Sequence, residues 1–342
     1  MAVTIRQIAA AAGVSRGTVD RVLHNRPGVK PEIAEHVRRI ADDLGFLPNR
    51  AGKILASRKQ PIRVGCFLPG VGNLFFDDVV RGYRRAEAEL SDFGVSLVIK
   101  NIRGYDAKTH IAAISSLAAG GCSALCVSTI DIPEIRRTVN GLVDSGIPVV
   151  AVNTDLSHTK RLCYVGCDYL QAGRTAAGLL SLMSPREPLN LLIATGSLNM
   201  KGHNERIRGF SSTLRKKEIP YRLVDVFESQ DNDDHAYEMT RGALLAHPEI
   251  NCVYIVAAGV SGVCRAIVEL GRQRDILVLS HDEIEPTRRL IRDGVIDFTI
   301  GQEPEEQGYR AIQILFDYFM SDRRSSPKNY ITRTVIKILE NL

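Results

Sequence analysis

From Val64 onward, short apolar runs alternate with longer stretches in which apolar positions recur every three or four residues. The runs Val64–Pro69, Ser96–Ile102, Ala124–Ser128, Val149–Asn153, Leu189–Thr195, Leu223–Phe227, Cys252–Val256, Ile276–Ser280 and Phe298–Gln302 read as buried strands. Between them, Asp77–Gly94, Ala107–Gly120, Tyr169–Met183, Asn204–Lys217 and Glu305–Met320 read as amphipathic helices. A strand–helix alternation of this kind predicts an α/β body of parallel sheets covered by helices. The roughly 280 residues after position 60 are too many for one small doubly wound sheet, so two are expected.

The first sixty residues follow a different pattern. Thr4-Ile5-Arg6-Gln7 has the form of a capping box, and Ile5, Ile8, Ala9 and Ala12 share one helical face. Gly13-Val14 breaks this helix, and Ser15 can cap a second one over Arg16 to Leu23, with Val19, Val22 and Leu23 as its buried face. After the turn Asn25-Arg26-Pro27-Gly28, Pro31 opens a third helix with Ile33, Val37, Ile40 and Leu44 at helical spacing, ended by Gly45. Two short helices around a tight turn, with a third to close the core, predict a helix-turn-helix unit.

Charge separates that unit from a small bundle that merely packs on the rest. The whole chain carries +5, an excess that means little by itself. The first 60 residues hold eleven Lys and Arg against five acids, a charge of +6, which leaves −1 on everything after them. A basic excess confined to a helix-turn-helix points to nucleic acid. In such a unit the start of the second helix enters the major groove, so Ser15, Arg16, Gly17, Thr18 and Arg21 are the candidate contacts, with Arg suited to a bidentate bond to guanine.

The pattern Thr4-Ile5-x-x-Ile8-Ala9-x-x-Ala12-Gly13-Val14-Ser15-x-x-Thr18-Val19-x-Arg21-Val22-Leu23, continued by Leu44-Gly45-Phe46 and Pro48-Asn49-Arg50-Ala51, resembles the headpiece of the lac-repressor family of bacterial regulators. The resemblance adds Thr4, His24 and Asn49 to the DNA contacts. It also implies a hinge helix over residues 49–60 whose Leu55 wedges the minor groove and kinks the operator. Several positions depart from the family. Asp20 stands where Ser is frequent and would repel phosphate, and Gly17 offers no side chain to a base. His24 replaces a frequent Asn, and Gly52-Lys53 replaces Ala-Arg, which predicts a hinge that folds only on DNA.

Open α/β sheets bind ligands beyond the C-terminal ends of their strands. There the chain places Asn73, Phe75 and Phe76, then Asn153, Arg206, Asp282 and Gln302: a set with donors and acceptors for a ligand rich in hydroxyls and two rings for its apolar face. The body resembles the sugar-binding fold shared by periplasmic binding proteins and the lac-repressor family. Asn73-x-Phe75-Phe76, Arg206 of R-x-x-G-F, Asn153, Asp282 and Gln302 occupy matching positions, which by resemblance bind sugar hydroxyls. Ala257-Ala258 departs from an Asn-Asp pair frequent in relatives and withdraws one polar contact. The resemblance implies a headpiece over residues 1–48, a hinge over 49–60, one subdomain from 61–167 and 303–331, and another from 168–302 and 332–342.

Rival chemistries lack their parts. Gly70-x-Gly72-x-x-Phe75 misses the third glycine of a dinucleotide fingerprint, and Gly259-Val260-Ser261-Gly262 is followed by Val263 rather than completing a nucleophile elbow. Asp231-Asn232-Asp233-Asp234-His235 lacks a calcium loop's Gly and closing Glu and reads as the solvated start of a helix from Ala236. Ser280-His281-Asp282 are strand neighbours that point to opposite faces. The seven Cys, without zinc-finger spacing, read as small buried hydrophobes. No apolar run nears the ~18–20 residues of a membrane span, and the first residues do not read as a signal peptide. The expectation is a cytoplasmic regulator, most simply a repressor, without enzymatic activity, cofactor or metal. Its partners are a double-stranded operator, a sugar- or polyol-like effector and a second copy of itself, as a dimer because no long leucine heptad follows the body. The alternatives are a regulator answering a protein or nucleotide-like signal, and an α/β enzyme.

Overall fold

The computed structural model describes residues 3–23, 26–44, 61–183, 188–321 and 327–342. His24, Asn49, Leu55, the Gly52-Lys53 pair and the hinge expected over 49–60 lie outside the described residues. The chain divides into two compact units, residues 1–60 and 61–342.

In the first unit α1 spans Ile5–Ala12, α2 Arg16–Leu23 and α3 Pro31–Asp43. The Thr4 capping box forms in full: the Gln7 amide donates to Thr4 Oγ1 at 3.4 Å, and the Thr4 amide donates to Gln7 Oε1 at 2.8 Å. Gly13 ends α1 at φ +64°, a left-handed conformation that costs Gly nothing. The Thr18 amide donates to Ser15 Oγ at 3.0 Å and so caps α2. Ile8, Ala9, Ala12, Val19, Val22, Val37 and Ala41 form the core. Ile33 and Leu44, expected on the buried face of α3, are exposed, because Val37 and Ala41 supply the stripe that meets α1 and α2.

In the second unit the order is β1 Ile62–Leu68, α4 Leu74–Leu90, β2 Val95–Asn101, α5 Ala107–Ala119, β3 Ala124–Val127, α6 Pro133–Asp144, β4 Val149–Val152, β5 Cys163–Gly166 and α7 Tyr169–Leu182. It continues with β6 Leu189–Thr195, α8 Lys201–Lys216, β7 Tyr221–Glu228, α9 Asp233–Ala246, β8 Cys252–Ile255, α10 Val260–Glu269, β9 Leu277–His281, α11 Glu285–Arg292, β10 Phe298–Gly301, α12 Pro304–Met320, β11 Tyr330–Ile331 and β12 Val335–Lys337. Two sheets result, in the orders β11-β5-β4-β3-β1-β2 and β12-β10-β9-β8-β6-β7. The pairings are parallel except that β12 runs antiparallel to β10. In each sheet the first strand lies between the second and the third, which creates a topological switch point of the kind at which open α/β sheets hold ligands.

Helices cover both faces of each sheet. On the first sheet α4 and α12 bury Val79, Tyr83, Ile312 and Leu315 on one side, while α5 and α6 bury Ile114, Leu117, Ile135 and Val139 on the other. On the second sheet α9, α10 and α11 cover one side, and α7 and α8 the other. The sequence pattern misses β5, whose four residues are all buried, and starts α4 at Asp77 rather than Leu74. The earlier start follows from Asn73, whose side chain accepts from the Phe75 amide and caps the helix.

All seven cysteines are free and buried. Burial pushes the thiols of Cys163, Cys167 and Cys252 up to about 11, 12 and 12, so thiolate is scarce at neutral pH. A water-soluble thiol reagent should therefore label the native protein slowly at every site, and all seven only after denaturant is added. Fast labelling of a single site in the native state would contradict this burial.

Candidate functional site

In the first unit, Arg16, Gly17 and Arg21 are exposed on α2, and Thr18 is half-buried at its start. The Ser15 hydroxyl is occupied by the helix cap and by a 2.9 Å bond with Thr18 Oγ1, and Thr4 is exposed at the start of α1. Arg26 Nη1 donates to Asp20 Oδ2 at 3.2 Å. This surface ion pair, though worth little in stability, offsets the negative charge that sits oddly on a basic helix.

In the second unit the strand ends converge on a small, partly open cavity. Its walls include all seven residues singled out on the body: Asn73, Phe75, Phe76, Asn153, Arg206, Asp282 and Gln302. Phe75 and Phe76 lie in the first turn of α4, both buried, with ring centroids 5.3 Å apart and planes at 82°. They stand edge to face against each other. Asn153 follows β4 at φ +66° and donates from Nδ2 to the Tyr169 hydroxyl at 2.7 Å.

Arg206 carries the positive charge of the cavity and is 1% exposed. Its Nη1 donates to the Val256 carbonyl at 2.6 Å, and its guanidinium lies 4.6 Å over the Tyr169 ring. Nη2 stands 3.8 Å from Asp282 Oδ1, beyond hydrogen-bond reach, so Nε and Nη2 have no hydrogen-bond partner. Asp282, at φ +73°, accepts from Gln302 Nε2 at 2.7 Å. Burial raises the Asp282 carboxyl above its ordinary value, and Arg206 pulls it back down. Gln307 Nε2 donates to the Gln302 carbonyl at 2.8 Å and fixes that side chain's base.

Further lining groups are Tyr105, Tyr169, Met200, His203, Asp231, Ala257 and Ala258. Asp231 corrects the reading of the acidic run. The helix begins at Asp233 with Asn232 as its cap, and only Asp233 and Asp234 occupy its first turn. Asp231 instead turns into the cavity, where Oδ2 accepts from Tyr105 Oη at 2.6 Å and from Asn73 Nδ2 at 2.9 Å. Tyr105 and Asp231 follow β2 and β7, so the strand-end rule applied to those two strands would have found them. Burial, joined by Arg206, pushes the His203 imidazole down to about 3, so it is neutral at ordinary pH. His281 faces away from the cavity and shares a 2.8 Å hydrogen bond with Tyr254 Oη.

A converging set of amide, carboxylate and guanidinium groups over two aromatic rings is an arrangement that grips hydroxyls. Residues 64–321 match the periplasmic binding protein domain family, and residues 4–49 match the lacI family of bacterial regulatory proteins. The chain is a lacI-family protein with a periplasmic binding protein domain. It is similar to the ribose operon repressor of Lactococcus lactis, at 26% identity over 98% of both chains. It is also similar to catabolite control protein A of Priestia megaterium, at 24% identity over 83% of this chain and 82% of that protein. Among solved structures, GanP, a glucose-galactose binding protein from Geobacillus stearothermophilus, superimposes with a TM-score of 0.75 at 26% identity, covering 83% of this chain and 99% of that one. The similar curated proteins are transcriptional regulators, and the lacI-family chain carries the corresponding helix-turn-helix at α1 and α2. Among the described residues no helix is long and apolar enough to cross a membrane.

Proposed function

We propose that this protein is a sugar-responsive transcriptional repressor that acts in the cytoplasm. It binds a near-palindromic operator as a homodimer, with α2 of each copy in a major groove and Leu55 in the minor groove at the centre. The effector is a small sugar or polyol held by Asn73, Phe75, Phe76, Asn153, Arg206, Asp282 and Gln302. The observation that carries the reading is the cavity itself: the polar residues of distant strand ends line one cleft in a chain that also carries an exposed, basic reading helix. Two subdomains, residues 61–167 with 303–331 and residues 168–302 with 332–342, would close on the effector. That closure changes how the bodies hold the hinges, by a coupling of about 1–3 kcal/mol.

The test is selection of DNA fragments by the full-length protein, followed by titration of the enriched fragment with and without sugars. An inverted repeat should emerge, and at least one sugar should change its affinity several-fold or more. Arg16→Ala should cost about 1–3 kcal/mol and relax the preference at one base position per half-site, whereas Leu55→Ala should weaken binding to any operator. Enrichment of no sequence, or wild-type binding by both variants, would refute the DNA reading.

A further inference from the structure

The two carboxylates of the cavity are not equivalent. Asp282 faces a cation, with Arg206 Nη2 at 3.8 Å, and takes a hydrogen bond from Gln302. Asp231 faces none. Its side-chain donors, Asn73 and Tyr105, are neutral and both reach the same oxygen, Oδ2, and the Ala258 backbone adds a further neutral hydrogen bond to the carboxylate. The other oxygen, Oδ1, is sealed from solvent and receives no side-chain hydrogen bond. It lies close against Gly196, where even a Cβ would come within 2.5 Å of it.

Other charges near the cavity do not cancel Asp231. His203 is held neutral, and Lys201 is engaged by Asp155 at 3.3 Å. Arg206 and Asp282 balance each other. Burial raises the Asp231 carboxyl above its ordinary value, because no cation among the cavity's lining residues is left to hold its charged form. The chain also holds the carboxylate in place at a conformational cost, because Gln230 and Asp231 both take left-handed backbone angles, φ +52° and +54°. A buried acceptor left short of donors and a buried charge left unpaired are both costly, and they persist here on a residue that lines a ligand cavity.

A ligand hydroxyl would fill the missing hydrogen bond but not the missing charge. A carboxylate or phosphate on the ligand would add a second negative charge beside the first. An ammonium supplies both the donor and the charge. We propose that the effector carries a basic nitrogen: the cavity takes an amino sugar or amino-polyol, with the ammonium on Asp231 Oδ1 and hydroxyls toward Arg206, Asn153 and Gln302. Ala257 and Ala258 line the same cavity and bring no charged side chain to compete for that group. This inference rests on the reading of the cavity as a sugar-type effector site.

The test is calorimetric titration of the full-length protein with neutral pentoses, hexoses and polyols set against their amino counterparts. D-Glucosamine is paired with D-glucose and N-acetyl-D-glucosamine, D-galactosamine with D-galactose and its N-acetyl form, and D-glucuronate represents the acids. At least one amine should bind about ten-fold or more tightly than both its neutral parent and its N-acetyl form, the size expected when a charge-assisted hydrogen bond replaces a neutral one. Asp231→Asn should bring that ratio close to one. If the substitution prevents folding, the comparison of amine with N-acetyl form on the wild-type protein still decides. Binding of the neutral sugars as strongly as their amines would overturn the inference and leave the sugar reading standing. Binding of no member of the panel would overturn the sugar reading together with the inference.

Discussion

Arg206→Ala is expected to abolish the rise in melting temperature that a binding sugar produces on the wild-type protein. The guanidinium has two buried donor nitrogens, Nε and Nη2, with no hydrogen-bond partner. A ligand oxygen placed between them and Asp282 would accept both, and hydrogen bonds to a charged group are worth about 1.5–3 kcal/mol each. Losing them costs about 3 kcal/mol or more, which is a fall of about a hundred-fold in affinity. The free protein should suffer less. Alanine removes the attraction to Asp282 and the contact with the Tyr169 ring, but it also removes two unsatisfied donors whose burial is itself a cost. Gln302 still donates to Asp282 at 2.7 Å, so the carboxylate is not stripped of partners. Arg206→Lys keeps the charge but not the planar fork, and should recover only part of the binding. Differential scanning calorimetry with and without sugar separates the two effects. A ligand-induced shift in Arg206→Ala equal to wild type would show that this guanidinium does not hold the ligand.

Much of the architecture is legible because it rests on local rules. The inner strands are almost wholly buried, as parallel sheets require, and so read as apolar blocks in the sequence, whereas β2 and β7 at the sheet edges, also read as buried, are largely part-buried or exposed. The glycine and capping signals of the first three helices are chemical: Thr4 with Gln7, and Gly13 at a left-handed angle, leave little choice. What escaped the sequence is what depends on distant neighbours. Cys163–Gly166, with a Tyr and a Gly among its four residues, does not stand out as an apolar block and exists because β4 and β11 pair with it. The exposure of Ile33 and Leu44 is fixed by which turn of α3 meets α1 and α2, and spacing alone does not specify that. Asp231 looks like any acid before a helix until Asn73 and Tyr105, 158 and 126 positions earlier, are seen to bind it.

The same dependence on distant backbone governs how Arg206 is positioned. Helices α7 and α8 touch at Gly173 and Gly209, and there the contact is backbone against backbone. A Cβ at Gly173 would stand 2.1 Å from the carbonyl oxygen of Arg206 itself, and one at Gly209 would stand 2.1 Å from that of Leu170. To restore ordinary contact the helices must part by about 1.3 Å, the difference between that approach and a 3.4 Å contact. Overpacking of this kind costs about 1–3 kcal/mol, and two turns of well-packed helix cannot absorb it through side chains. Because α8 carries both His203 and Arg206 into the cavity, separation of the helices also withdraws those groups from their places. Gly173→Ala and Gly209→Ala are therefore expected to lower the melting temperature and, in the fraction that still folds, to weaken sugar binding although neither residue lines the cavity. Gly178→Ala on the same α7 is the matched control. Nothing lies within 4 Å of its added Cβ, and mid-helix alanine is favoured by about 0.5–1 kcal/mol, so it should raise stability and leave binding alone. Equal stability of all three variants would mean that α7 and α8 are not held at this distance by their glycines, and the positioning of Arg206 would need another cause.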